Sequence, residues 1–176
     1  MSGKINIIFG FFYLALTAVL GPAFLVPQFG DRGAAMKQAS QAVAEAQTAA
    51  QAPESKTSVA ELGQKNAAAL SALLEADKKQ QIVGKGAHSH GNLEALLNIV
   101  AGFIILSLAI PCNFKRLLTL LFIVGALFHS GMLYLGSVLG IGFAFKFLLI
   151  GEVALIGGLV LMGVAAAIGI KKQGCS

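Results

Sequence analysis

The chain has 176 residues, 56% of them hydrophobic and only 12% charged, with a mean hydropathy of +0.78 and a formal net charge of +5. A soluble domain is about a quarter charged, so this composition excludes the ordinary soluble enzyme and points to an all-α, polytopic membrane protein. Windows of about 20 apolar residues, enough to cross about 30 Å of hydrocarbon at 1.5 Å per residue, occur at 5–29, 93–110, 117–141 and 147–170. Lipid offers the backbone no hydrogen-bond partner, so each run is expected as a helix.

The first run, within 1–29, follows Lys4 and carries Gly21-Pro22-Ala23, which imitates the cleavage site of a signal peptide. Its apolar stretch continues through Phe24, Leu25 and Val26, longer than a signal core, and reads as an uncleaved span kinked at Pro22. Residues 30–87 are a compositional break, rich in Ala, Gln, Lys and Glu and divided by Pro53. The half before Pro53 has strong helix formers but only Met36 and Val43 as larger apolar groups. The half after it opens with Ser58 and Glu61 at capping-box spacing and has an apolar face of Val59, Leu62, Leu70, Leu73 and Leu74. A helical hairpin is expected here, with a partly disordered, solvated loop as the alternative for its first half. Residues 88–172 then hold the remaining three spans: Pro111, Cys112 and Asn113 stop the second, the Gly136–Gly142 stretch loosens the chain between the third and fourth, and 173–176 form a tail.

Lysine and arginine near short loops set orientation. Four spans place Lys4, Lys115, Arg116, Lys171 and Lys172 on one side, so both termini are expected in the cytoplasm and residues 30–87 outside. The outer segment holds seven of the thirteen basic residues, nearly cancelled by six acids. Cys112 and Cys175 fall on the reducing side and need no disulfide. The net positive charge therefore reflects topology, and no nucleic-acid partner is implied. The expected surroundings are membrane lipids.

Within this frame the ionisable residues of the spans stand out, because burying them in lipid is costly and by default marks a site. Counting 1.5 Å per residue puts Asn98 about 12 Å beyond His90, with His129 and Glu152 each about 13 Å in from the external ends of their spans. Glu94, Tyr134 and Lys146 lie nearer that surface. His90, Glu94 and Asn98 follow an i, i+4, i+8 series and share one helix face. The polar residues of three spans thus converge on one centre in the outer half of the bundle.

Imidazole ligates copper, zinc and haem iron, so His88, His90 and His129 are candidate cofactor ligands, and with Glu152 they suit a small metal site. On a continuous helix His88 and His90 point about 200° apart and cannot face one ion. An extended stretch there, or a helix starting after Gly91, would let both do so. The contrasting reading is structural, with His129 bonded to Glu152 or Asn98 and no cofactor at all. Lys146 is expected to snorkel to the surface, and Tyr134 also fits an interfacial tyrosine.

Ala87-His88-Ser89 leading into an apolar helix that carries Asn98, followed by Leu133-Tyr134-Leu135, resembles styrene oxide isomerase, over roughly residues 87–140. That resemblance implies a four-helix membrane enzyme whose haem b acts as a Lewis acid on an epoxide. His88 would be the axial ligand, and Tyr134 and Asn98 would face the oxygen of an apolar substrate. The long insert, the additional His90 and the wider spacing from His88 to Asn98 depart from the pattern, leaving open whether His88 or His90 is the ligand.

Gly136 with Gly140 and Ala154 with Gly158 make small-xxx-small pairs that permit close helix or subunit contact, as in a homo-oligomer. No phosphate-binding loop, nucleophile elbow, Cys-x-x-Cys or zinc-protease helix occurs, which argues against hydrolases and ATP-driven pumps. Two functional classes remain: a haem- or metal-binding protein, isomerase or redox component, and a non-catalytic subunit whose outer segment docks on a larger membrane complex.

Overall fold

The computed structural model describes residues 2–51 and 58–170 of the chain. Over these residues it is helical, without strand, and four helical stretches are long and apolar enough to cross a membrane. In chain order the α-helices are α1 (Ser2–Gln51), α2 (Val59–Gln81), α3 (Ser89–Ser107), α4 (Cys112–Ala126) and α5 (Leu148–Gly169). The expected dividing Pro53 and the tail residues Lys171, Lys172 and Cys175 lie outside the described residues.

Two compact units arise, Met1–Gly21 with Val83–Ser176, and Pro22–Ile82. The second unit is built differently from its sequence expectation. Helix α1 runs through Pro22, Pro27 and Phe29 to Gln51 without a break at the compositional boundary. Its inward positions in this unit are Ala35, Ala39, Ala42, Ala46 and Ala49, spaced by four and three residues. On α2 the inward positions are Leu62, Asn66, Ala69, Leu73 and Ala76, at the same spacing. A 3.5-residue period is that of helices wound about each other. Arg32 pairs with Asp77 at 2.9 Å and Lys65 with Glu45 at 3.4 Å between the two stretches. Alanine admits a close approach, so the larger groups face outward: Met36, Val43, Val59, Leu70 and Leu74 are all exposed. Only Leu62 and Leu73 of the expected apolar face turn inward. At the start of α2 the Ser58 side chain accepts the Glu61 amide at 3.2 Å, as the capping spacing requires.

In the first unit the chain passes from α2 through a π-helical stretch, Ile82–His88, into α3. Helix α3 ends at Ser107, where Leu108 turns extended, and Pro111 caps α4. Cys112 and Asn113 therefore begin the third span rather than end the second, and the amides of Phe114 and Lys115 close on Pro111 O. The third span widens into π turns at Leu127–Gly131 and Tyr134–Val138, and Gly140 turns the chain at φ +72°. That conformation favours glycine, so Gly140 serves a turn and not helix contact. A 3₁₀ stretch, Gly142–Phe147, carrying an exposed Lys146, leads into α5.

In this unit the packed faces of α1 and α5 carry small and polar residues, while large apolar side chains point outward. On α1 the buried positions Gly3, Asn6, Gly10, Tyr13, Thr17 and Gly21 recur every three or four residues, while Phe11, Phe12, Leu16 and Val19 are exposed. The same inversion marks α5, with Gly151, Ala154 and Gly158 inside and Leu149, Val153, Ile156 and Val160 outside. Such a distribution suits lipid, where association rests on close packing and interhelical hydrogen bonds. A methyl group added to Gly102 would lie 2.6 Å from Gly3 O and 3.0 Å from Ile7 N. Replacing Gly102 by leucine is thus expected to force α1 off α3 and cost about 1–3 kcal/mol, read as a lower unfolding midpoint in detergent. Below this crossing an apolar core of Ile105, Leu118, Phe122 and Met162 joins α3, α4 and α5. Ala154 and Gly158 also pack within the chain, the latter against Leu121 and Phe122.

Candidate metal centre

The π turn at Leu127–Gly131 places two successive residues against one carboxylate. Such a turn inserts an extra residue and reorients the side chains it carries, which is why π turns recur at functional sites. His129 Nδ1 lies 2.5 Å from Glu94 Oε1, and Ser130 gives Glu94 Oε2 both its hydroxyl, at 2.6 Å, and its amide, at 3.3 Å. Glu94 is buried and accepts from all three donors. Tyr13 on α1 shares a hydrogen bond with Ser130 Oγ at 2.9 Å, and both hydroxyls also reach Ala126 O, at 3.2 and 3.1 Å. On the other side of the imidazole, Nε2 faces Glu152 Oε1 of α5 at 3.8 Å. The His90 ring meets His129 edge-on with centroids 4.8 Å apart. All four spans thus contribute.

One nitrogen from each of His90 and His129 and one oxygen of Glu94 lie within 4.8 Å of one another, a group able to hold a metal ion. Helix α5 is pinned beside it by Gly151, whose missing side chain leaves room for the backbone of Phe128 and His129. That contact sets the register that brings Glu152 to His129.

The other sequence candidates occupy neighbouring networks. The chain is helical through both His88 and His90, so the two side chains diverge. His88 donates Nδ1–H to Thr17 O at 3.1 Å and accepts from Asn92 Nδ2 at Nε2 over 3.3 Å, while Asn92 Oδ1 accepts from Thr17 Oγ1 at 2.7 Å. Its ring also fills the space above Gly21. Asn98 lies one turn along α3 from Glu94 and contacts neither His129 nor Glu152 through its amide. It donates to Glu94 O and Phe122 O, both at 3.0 Å, and accepts from Asn6 at 3.0 Å, tying α1, α3 and α4 together. Tyr134 is buried, its ring near Gly91, and its hydroxyl has no hydrogen-bond partner among the described residues.

Asn6, Tyr13, Thr17, Asn92 and Ser130 are absent from the sequence-derived set. Their signal was available on α1, where Asn6, Tyr13 and Thr17 alternate with glycines at helical spacing inside an apolar run. Ser130 gave none, being a small polar residue of a kind common in spans. The chain matches no protein-family model and shows no significant similarity to a curated protein or to a solved structure.

Proposed function

We propose that this chain is a multi-pass membrane protein that binds a divalent first-row transition metal at the His90, Glu94 and His129 centre. The observation that carries the reading is the convergence of two imidazoles and a carboxylate within 4.8 Å inside an apolar bundle. Two histidines and one carboxylate are a recurrent set for catalytic zinc and for non-haem iron(II), and three protein ligands leave a position for substrate or water. A bound ion there supplies Lewis acidity or carries an electron, and an apolar substrate reaches it from the bilayer. Haem held by His88 is the weaker reading because His88 spends both ring nitrogens on Thr17 and Asn92, which leaves His90 as the other axial candidate. Lysine and arginine placement supports cytoplasmic termini, with residues 30–87 outside as a helical hairpin.

A second reading rests on the exposed Met36, Val43, Leu70 and Leu74, which suit docking of the outer unit on a partner subunit. It is compatible with a metal centre.

The test is metal analysis of protein purified from cells supplied with zinc, iron and haem. About one divalent ion per chain is expected, and His90→Ala and His129→Ala should each weaken binding at least tenfold through loss of a ligand. Equal metal content in the wild type and both variants, or a Soret band that depends on His88, contradicts the reading.

A further inference from the structure

His129 presents its two ring nitrogens to two different carboxylates, and a metal ion uses only one of those edges. We infer that the ion is held on the Nδ1 edge, beside Glu94, and that Glu152 on α5 is the orienting carboxylate that accepts Nε2–H from the far edge. This rests on the proposed metal site and adds a positioning residue to it.

Of the two nitrogens, Nδ1 is the one that meets Glu94, 2.5 Å from Oε1, while Oε2 is engaged by the hydroxyl and the amide of Ser130. An ion shared by His129 and Glu94 therefore takes Nδ1 and Oε1 and leaves the Ser130 contacts in place. With Nδ1 ligating, a neutral imidazole carries its single proton on Nε2. Glu152 Oε1 faces that nitrogen at 3.8 Å. The distance is longer than a hydrogen bond, and the Glu152 side chain, 53% exposed, is free to close it by rotation. Metal-ligating histidines commonly donate their other ring N–H to a carboxylate, which fixes the tautomer and makes the ligating nitrogen more basic.

Charge points the same way. A divalent ion with the Glu94 carboxylate and two neutral imidazoles keeps one net positive charge, which is costly inside an apolar bundle. Glu152 cancels that charge from outside the ligand set. Its neighbours one turn away on the same face of α5, Leu149 and Ile156, are exposed apolar residues, so a carboxylate between them is costly unless a positive group meets it. Gly151 holds the α5 backbone against that of Phe128 and His129, so packing delivers Glu152 to the imidazole.

Two measurements on the full-length protein in detergent test the assignment. Heteronuclear NMR of the zinc-loaded protein should show His129 with zinc on Nδ1 and a proton on Nε2, its signals identified by their loss in His129→Ala. In cobalt(II) titrations Glu152→Ala should weaken binding by about 10–100-fold, the usual cost of losing an orienting partner. The visible d–d bands, which report the ligand set, should stay as in the wild type. Glu152→Gln keeps an acceptor oxygen and should recover part of the loss, and Leu149→Ala, on the same face, should bind as the wild type does. The assignment is overturned if zinc sits on Nε2, if Glu152→Ala binds cobalt as tightly as the wild type, or if Glu152→Ala shifts the bands, which would make Glu152 a ligand. A wild type that binds neither cobalt nor zinc overturns the metal site itself, and this assignment with it.

Discussion

Glu94→Ala is expected to lower the unfolding free energy by about 3–5 kcal/mol, because it strands three donors that converge on one buried carboxylate. Each unsatisfied buried donor costs about 1–3 kcal/mol, and the His129 ring, the Ser130 hydroxyl and the Ser130 amide all lose their acceptor together. Tyr13 feels the change through Ser130, so the effect reaches α1 as well as α3 and the third span. Glu94→Gln keeps an acceptor oxygen and should cost markedly less. Ser130→Ala should be less damaging in the Glu94→Ala background than in the wild type, because the two residues share a hydrogen bond and their effects are not additive. Unfolding in mixed detergent micelles, followed by circular dichroism, measures all four. A Glu94→Ala midpoint equal to that of the wild type contradicts the network.

Gly151→Leu is expected to be comparably severe, at about 3 kcal/mol, and to weaken metal binding as well. A side chain at this position meets the backbone of Phe128 and His129, which cannot swing aside as a flexible side chain would. The two backbones must part, and any shift of His129 takes a ligand out of the proposed centre. Gly157 supplies the control, since nothing lies within 4 Å of a methyl group placed there. Gly157→Leu should stay within about 0.5 kcal/mol of the wild type and keep its metal affinity. Equal effects at the two glycines would remove the special role of the contact.

Much of the architecture was legible because long apolar runs leave the chain few choices besides helix. Four apolar runs of spanning length, the Ser58 cap and the stop near Pro111 follow from local rules and are present in the structure. Large side chains misled the reading of residues 30–87. Leu70, Leu74 and Val59 seemed to define a contact face, yet alanines form the seam, since close backbone approach needs small residues more than bulky ones.

The centre was half legible. His90 and Glu94 shared a face by spacing, and His129 and Glu152 were placed level. Counting a uniform rise along straight helices put Glu94 nearer the surface and Asn98 beside His129. The π turn at Leu127–Gly131 breaks that count, because its extra residue shifts His129 and Ser130 relative to α3, and it is Glu94 that meets them. Asn98 instead belongs to the junction with Asn6. No periodicity in the third span announces a π turn, so this pairing required coordinates.

X-ray absorption on the zinc-reconstituted protein addresses the centre most directly. The predicted spectrum has only nitrogen and oxygen neighbours at about 2.0–2.2 Å, with the outer-shell signature of two imidazoles that falls away in His90→Ala and His129→Ala. A first shell containing the sulfur of Cys112 or Cys175, or one unchanged in both histidine variants, would show that zinc binds elsewhere and would contradict the proposed site.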